Sequence, residues 1–427
     1  MKKMYSLLLL LAVPALLFAA GTETAGVDGI SFFGIRLEFI LFALTLVGVA
    51  LFHNHTLYVA ITGLISVLIV RFLFTDFNAI EHVEHEWRIL LNLFGLLIGF
   101  AVLAKHFEES GVPDHLPKFL PDNWTGPFFL LIMIFILSSF LDNIAAALIG
   151  GSVALIIFKG EVHIGYLAAI VAASNAGGCG SVVGDTTTTM MWIDGINPGQ
   201  VVHAYIAAVP ALLIFGFFAA RQQHAFQPII KQSTTSVHSV KPKKIVVVAL
   251  ILAGAIITNI LLDFPAAGVW GAILLGSLFV STPWKEVKSA LPGSAFLMCL
   301  VLCASLMPVD TLPPASWVSA LILGFISAVF DNIPLTKLAL EQSNYDWGLL
   351  AYAVGFGGSM IWFGSSAGVA ITNLFPRGRS VGKWVKNGWH IILAYVIGFF
   401  ILYGINGWHP YDHLSDNTQT EVTENHQ

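Results

Sequence analysis

Apolar stretches of roughly 17 to 25 residues recur along nearly the whole sequence, each long enough to cross a hydrocarbon core of about 30 Å as a helix. In lipid every backbone polar group must find its partner within the protein, which leaves helices or a closed barrel. A barrel needs alternating strands of about ten residues. The apolar runs here do not alternate, so the expected fold class is an all-α polytopic membrane protein. Only 11% of the 427 residues are charged and the mean hydropathy is +0.81, against about 25% charged in soluble domains. The bilayer is therefore the expected partner. The net charge of −5 is spread over short loops rather than a basic face, so nucleic acid is not an expected partner.

Residues 1–20 place Lys2 and Lys3 before an apolar core that ends in Ala19-Ala20, the pattern of a signal peptide. Phe18 at the −3 position fits a cleavage site poorly, so an uncleaved N-terminal anchor is the other reading. Spans follow near 35–53, 55–74 and 87–106, then a split pair 126–139 and 143–158, a broken span 162–193 and a span 200–220. The pattern recurs as 244–262, 266–282 and 293–307, a split pair 315–330 and 334–341, a broken span 347–374 and a last span 387–405.

Each split pair is too short per arm to cross twice and is interrupted by Asp-Asn, which predicts a re-entrant hairpin. Each half then makes an odd number of crossings, so the second half is expected upside down relative to the first, an inverted-repeat architecture. The expected division is residues 30–220 as first repeat, 221–244 as cytoplasmic linker, 245–405 as second repeat and 406–427 as periplasmic tail, the tail disordered from 412. With a periplasmic mature N-terminus, Lys105, Lys118, Lys159, Arg221, Lys285, Lys288, Arg377 and their basic neighbours fall on the cytoplasmic side, and Arg36, Arg71, Arg88 and Lys337 on the other. Such asymmetry is the positive-inside signature expected of an inner-membrane protein.

Two segments repeat between the halves. Ser138-Ser-Phe-Leu-Asp142-Asn143-Ile144 matches Ser327-Ala-Val-Phe-Asp331-Asn332-Ile333, and Gly177-Gly178 with Gly184 matches Gly357-Gly358 with Gly364. An ionisable residue at membrane depth is a functional-site hypothesis by default. The plainer reading is that Asp142 and Asp331 cap the second hairpin helices, and the two roles are compatible. The glycines predict helix breaks whose hinge positions are Gly177, Gly178, Gly184, Gly357, Gly358 and Gly364. Close helix packing is the alternative for Gly364 and Gly368, but it does not account for Asp185 and the threonines 186–189. The candidate site is accordingly Asp142, Asn143, Asn175, Asp185, Thr186, Thr187, Asp331, Asn332, Ser365 and Ser366.

Carboxylate, carboxamide and hydroxyl oxygens suit a hard cation, so Asp142, Asp185 and Asp331 are the candidate sodium ligands. A buried carboxyl that holds either a cation or a proton, but not both, gives exchange without a further device. Lys337 is a candidate charge partner for an acid, a snorkelling residue, or a ligand for an anion. Glu81-His82-Val83-Glu84-His85-Glu86 matches no metalloprotease motif and is expected to be a solvated acidic loop, with cation attraction or pH sensing as the alternative. His53 and His55 are expected in a polar turn. Cys179, Cys299 and Cys303 lie in apolar runs and are expected to be packed thiols rather than disulfides or metal ligands. No P-loop, dinucleotide fingerprint or nucleophile elbow occurs, so neither an enzyme nor a resident cofactor is expected, and sodium and protons enter as cargo.

At Asn175-Ala-Gly-Gly, Gly184-Asp185 with the four threonines and Met-Met-Trp192, at Asp331-Asn-Ile-Pro-Leu-Thr336, and at Gly357-Gly-Ser with Gly364-Ser-Ser-Ala-Gly-Val369, the chain resembles the NhaD-type sodium/proton antiporters of the ion-transporter superfamily, which also holds arsenite, citrate and dicarboxylate carriers. The resemblance covers about residues 30–405. It implies a scaffold part and a transport part in each half, an elevator-like movement and a homodimer. The sequence departs from the antiporter pattern at Cys179-Gly-Ser-Val-Val183 and at Lys337. A citrate, dicarboxylate or other anion carrier coupled to sodium or protons is the rival expectation, with helix N-termini, the Thr186–Thr189 hydroxyls and Lys337 as its donors.

Overall fold

The protein is described by a computed structural model over residues 30–32, 34–52, 55–230 and 239–413. The expected signal segment 1–20, His53, the middle of the expected linker and the tail beyond 413 lie outside the described residues. Apart from a two-stranded ribbon of β1 (Ser31–Phe32) and β2 (Ile35–Arg36), the regular structure is helical. The helices are α1 (Leu37–Leu51), α2 (Thr56–Phe74), α3 (Ala79–Glu109), α4 (Thr125–Ser138), α5 (Asn143–Ile157), α6 (Ile164–Gly178), α7 (Thr186–Ile193), α8 (Pro198–Val202) and α9 (Ala204–Phe226). They continue as α10 (Pro242–Leu262), α11 (Pro265–Ser277), α12 (Lys285–Ser305), α13 (Trp317–Ser327), α14 (Asn332–Gln342), α15 (Trp347–Gly357), α16 (Ser366–Leu374), α17 (Val381–Asn387) and α18 (Trp389–Asn406). Among the described residues six helical segments are long and apolar enough to cross a bilayer, and shorter apolar helices include α4, α5, α6, α13 and α15. The chain is an all-α polytopic membrane protein.

Packing divides the helices. One large core joins α4 to α9 with α13 to α18 and takes in Leu93 of α3 and Leu297 and Val301 of α12. Smaller cores lie between α1, α2 and the end of α12, and between α3, α10 and α11. α10 crosses α11 where Gly254 and Gly268 bring the two backbones together, since a Cβ on either would meet the other's carbonyl. The outward faces of α10 and α11 carry exposed Ile256, Ile260, Leu261, Leu274 and Leu278, as lipid contact requires.

Three boundaries differ from expectation. α3 starts at Ala79, so Glu81–Glu86 is the opening of a helix rather than a loop, capped by the Asn78 carboxamide on the Ile80 and Glu81 N–H groups. Acidic residues are favoured there by the helix dipole. α9 runs on to Phe226 into the expected linker, and α12 begins at Lys285 and continues through Pro292. The start of the tail is also packed rather than solvated. Tyr411 pairs with Tyr345, its carbonyl accepts the Trp347 indole N–H at 3.0 Å, and His413 lies 3.3 Å from Asp194.

Candidate functional site

The two Asp-Asn turns have the same construction. Asp142 caps α5 by accepting the Ile144 N–H at 2.9 Å, and Asp331 caps α14 by accepting the Ile333 N–H at 3.1 Å. The second oxygen of each carboxylate accepts a hydroxyl from the first residue of a half-helix: Thr186 to Asp142 at 3.4 Å, and Ser366 to Asp331 at 3.1 Å. Capping and a second polar contact therefore coexist on each acid.

The breaks also correspond. Between α6 and α7 the chain turns through 179–185, and between α15 and α16 through 358–365. Ser138 donates its hydroxyl to the Ser174 carbonyl at 2.6 Å, and Ser327 donates to the Val354 carbonyl at 2.8 Å, tying each hairpin arm to its broken helix. A Cβ on Gly177 would fall on the Phe135 carbonyl, and one on Gly357 on the Gly324 carbonyl. Gly178 and Gly358 face the carbonyls of Gly184 and Gly364 in the same way, and those glycines abut Ser138 and Ala328. None of these six has a positive φ. They are glycine because backbone approaches backbone there.

Where the halves differ, they interlock. Two positions before Gly177 stands Asn175 and two before Gly357 stands Gly355; eight after each glycine stand Asp185 and Ser365. Asn175 donates to Ser359 at 3.0 Å and Ser365 at 3.2 Å, and its oxygen accepts from Asn143 at 3.2 Å. Asp185 instead faces Gly355, whose missing side chain leaves room beside the carboxylate. Its Oδ1 caps α7 at the Thr187 N–H at 3.2 Å and receives Asn143 at 3.4 Å. Asp142 and Asp331 are the neighbouring carboxylates. Asp185 is 2% exposed, and its Oδ2 has no hydrogen-bond partner among the described residues. The Thr187 hydroxyl and the Asn332 amide nitrogen are likewise buried without a partner. Thr188 and Thr189 are not part of this set, because their hydroxyls bond the Ser181 and Val182 carbonyls of the break.

Helix N-termini attract anions, and at each of these starts one N–H is already taken. The N–H groups of Ile144, Thr187, Ile333 and Gly368 already serve Asp142, Asp185, Asp331 and Ser365. Lys337 is occupied as well, 3.1 Å from Glu86 and 2.5 Å from Glu341. Glu86 is the residue that the acidic-loop expectation missed: it is 1% exposed and sits inside the protein. Glu341 could have been found from its i,i+4 spacing to Lys337. No three His, Cys, Asp or Glu side chains among the described residues converge as a metal cage, so Asp142, Asp185 and Asp331 are neighbours without forming one.

A cavity of about 1300 Å3 reaches the site from one side, bounded by Leu97 and Phe100 of α3, Leu148 and Ser152 of α5, and Ala290 and Gly293 of α12. It includes Lys105, Lys118 and Glu286 towards one end of these helices and Asp142 and Ser366 at the site.

Asn175 is the hub of the interlock. Asn175→Ala is expected to leave Asn143, Ser359 and Ser365 each short of a bond, at about 1–3 kcal/mol per buried group. The apparent Tm should fall by several degrees, which thermal melting in detergent measures.

A polytopic helical chain whose paired helix breaks meet at buried polar residues is the arrangement of a membrane carrier, and residues 6–357 match the family model described as citrate transporter. The chain belongs to the citrate transporter family. Family membership makes it a transporter rather than an enzyme. Curated relatives are sodium/proton antiporter 1 of Arabidopsis thaliana, 24% identical over 67% of this chain and 56% of that protein, and the Na(+)/H(+) antiporter NhaD of Vibrio parahaemolyticus, 25% identical over 69% and 84%. The Na(+)/H(+) antiporter NhaD of Halomonas elongata is 22% identical over 85% of this chain and 87% of its own length. The match thus spans little more than half of the plant protein and most of the two bacterial ones.

Proposed function

We propose that this chain exchanges sodium or lithium for protons as a secondary active transporter of the inner membrane. Asp185 is the exchanging group, with Asp142 and Asp331 as flanking charges. The observation that carries this reading is a buried carboxylate oxygen of Asp185 left without a partner, while a cap already takes one N–H at each helix start. An unpaired buried carboxylate is costly unless a cation or a proton joins it. Ionised, Asp185 holds an alkali cation with hydroxyl and carboxamide oxygens of Thr187 and Asn332 as further candidate ligands; protonated, it releases that cation. One ion therefore leaves as the other arrives.

The matched turns and breaks support a reading of the halves as inverted repeats with re-entrant hairpins, and the division of most buried apolar side chains among three cores supports an elevator-like shift of α4–α9 with α13–α18 against the rest. A homodimer and periplasmic termini belong to the same proposal, with the cavity opening to the cytoplasm beside Lys105 and Lys118.

Carriage of citrate or another carboxylate is the second reading. The family's description and a cavity much wider than an alkali ion favour it.

Purified protein in liposomes with an internal pH dye separates the two. A sodium or lithium pulse is expected to alkalinise the lumen, potassium to do less, and citrate to leave the pH unchanged. A pH response to citrate alone, with none to sodium or lithium, would replace the antiport reading by the carboxylate one.

A further inference from the structure

The matched hairpins place Leu148 and Ser152 of α5 at the positions that Lys337 and Glu341 hold on α14, counting from Asn143 and Asn332. The two arms meet different surroundings. Leu148 and Ser152 are exposed and line the cavity that separates α5 from α12 and from the half of α3 that carries Lys105. On α14 the corresponding surface is closed: α14 packs on α12, and Lys337, 2% exposed, reaches Glu86 in the opposite half of α3. At that end His82 of α3 lies 3.1 Å from Ser305 of α12, and Asp194 at the end of α7 adds its charge to the Lys337 cluster. One face of the site is thus reached through a cavity, and its counterpart is filled by an ion pair.

We infer that the Lys337–Glu86 pair, with Glu341, is the latch over a second entrance to the site, and that Lys337 and Glu341 line a counterpart vestibule when α14 leaves α3. The inference rests on the transport reading above. Three features of the pair point to it. It joins α14 of the large core to α3, most of whose buried apolar side chains (Leu96, Phe100, Val102 and Leu103) lie in a smaller core, Leu93 excepted. It occupies the positions that line the open cavity in the other half. And Asp331 caps α14, so movement of Lys337 away from Glu86 carries a site carboxylate with it. Lys337 and Glu86 are positioning residues: they touch no cargo, and they set which face Asp331 and Asp185 can meet.

The test is thiol accessibility from each face, read without any cargo. Ser152→Cys reports the open cavity and Leu338→Cys, at the position matching Ile149, reports the latched side. Both are placed in a background with the half-buried Cys299 replaced by Ala, Cys179 and Cys303 being buried. In sealed vesicles of known orientation, a charged membrane-impermeant thiol reagent is expected to modify Ser152→Cys from the Lys105 side, while Leu338→Cys stays unreactive from the other. Neutralising the latch with Glu86→Gln and Lys337→Met is expected to slow the first reaction and speed the second, each on the order of tenfold. Lys337→Arg, which can still bridge two carboxylates, is expected to keep the original pattern.

Unchanged rates at both cysteines in the neutralised protein would overturn the latch, as would reaction of both from the same face. If the double variant does not reach the membrane, Glu86→Gln alone is read in the same way. Sodium is then added separately. A latch that responds as expected in a protein that exchanges no sodium would retain this inference and remove the cargo assignment.

Discussion

Asp185→Asn is expected to abolish sodium-driven proton exchange in liposomes while the protein remains folded. Asparagine is as good a helix cap as aspartate, so the carboxamide oxygen can still accept the Thr187 N–H that Oδ1 accepts now. The change falls on Oδ2, which is buried and without a partner, and on the charge. A carboxamide offers one oxygen in place of two and cannot take up a proton. Charge-assisted contacts contribute about 1.5–3 kcal/mol each, so losing the cation's principal partner alone corresponds to a fall in exchange of roughly 10- to 150-fold. With no proton acceptor left the residual rate should match protein-free liposomes. The pH-dye assay checks the rate, and melting in detergent checks that the fold survives. Wild-type exchange from this variant would remove Asp185 from its role. Asp142→Asn and Asp331→Asn keep their caps, but the amide nitrogen that replaces Oδ2 can only donate to the Thr186 or Ser366 hydroxyl that Oδ2 now accepts from. They lose the charge and one acceptor each, and should weaken the apparent sodium affinity without ending exchange.

The route to Asp185 was largely visible in the sequence, because the features that mark it are local. A carboxylate, a threonine run and clustered glycines in an apolar stretch have no good use in lipid except at a break. The interlock was not visible. That Asn175 bonds Ser365 across 190 positions, and that Gly355 gives Asp185 its space, depend on how one broken helix crosses the other. Glu86 shows the same limit. It reads as one of several acids in a polar stretch, and only the fold supplies the lysine 251 positions away that allows its burial. The Lys337 to Glu341 spacing is a local signal for an ion pair, and it carries no information about a third partner. The glycines lie at or beside the ends of the helices, for a reason sequence could not reach. Spacing suggests backbone freedom, whereas the absence of a positive φ and the facing carbonyls make the requirement one of space.

That distinction predicts opposite signs for one substitution at two kinds of site. At Gly177 and Gly357 an added methyl would fall on a backbone carbonyl, that of Phe135 in one half and Gly324 in the other. No side chain can rotate away, so either α4 must separate from α6, and α13 from α15, or the arms must bend. Overpacking a well-packed interior costs about 1–3 kcal/mol, and a rigid backbone neighbour places these at or above the upper end. Gly271 in α11 has nothing within 4 Å of its Cβ position. There alanine gains helix propensity of roughly 0.5–1 kcal/mol. Gly177→Ala and Gly357→Ala are therefore each expected to lower the apparent Tm by many degrees or to prevent accumulation of folded protein, while Gly271→Ala leaves it unchanged or raises it. Melting followed by tryptophan fluorescence compares the three in one detergent. A wild-type Tm for Gly177→Ala would mean that the hairpin and broken helix do not pack this closely. The two destabilised variants should also resemble each other, because the same contact is made in both halves. Each displaces the hydroxyl tie beside it, Ser138 to Ser174 or Ser327 to Val354, and with it the carboxylate at the hairpin turn. Whatever Gly177→Ala or Gly357→Ala protein folds should accordingly lose exchange in step with stability, because the close approach that holds the breaks together is also what brings Asp142 to Thr186 and Asp331 to Ser366.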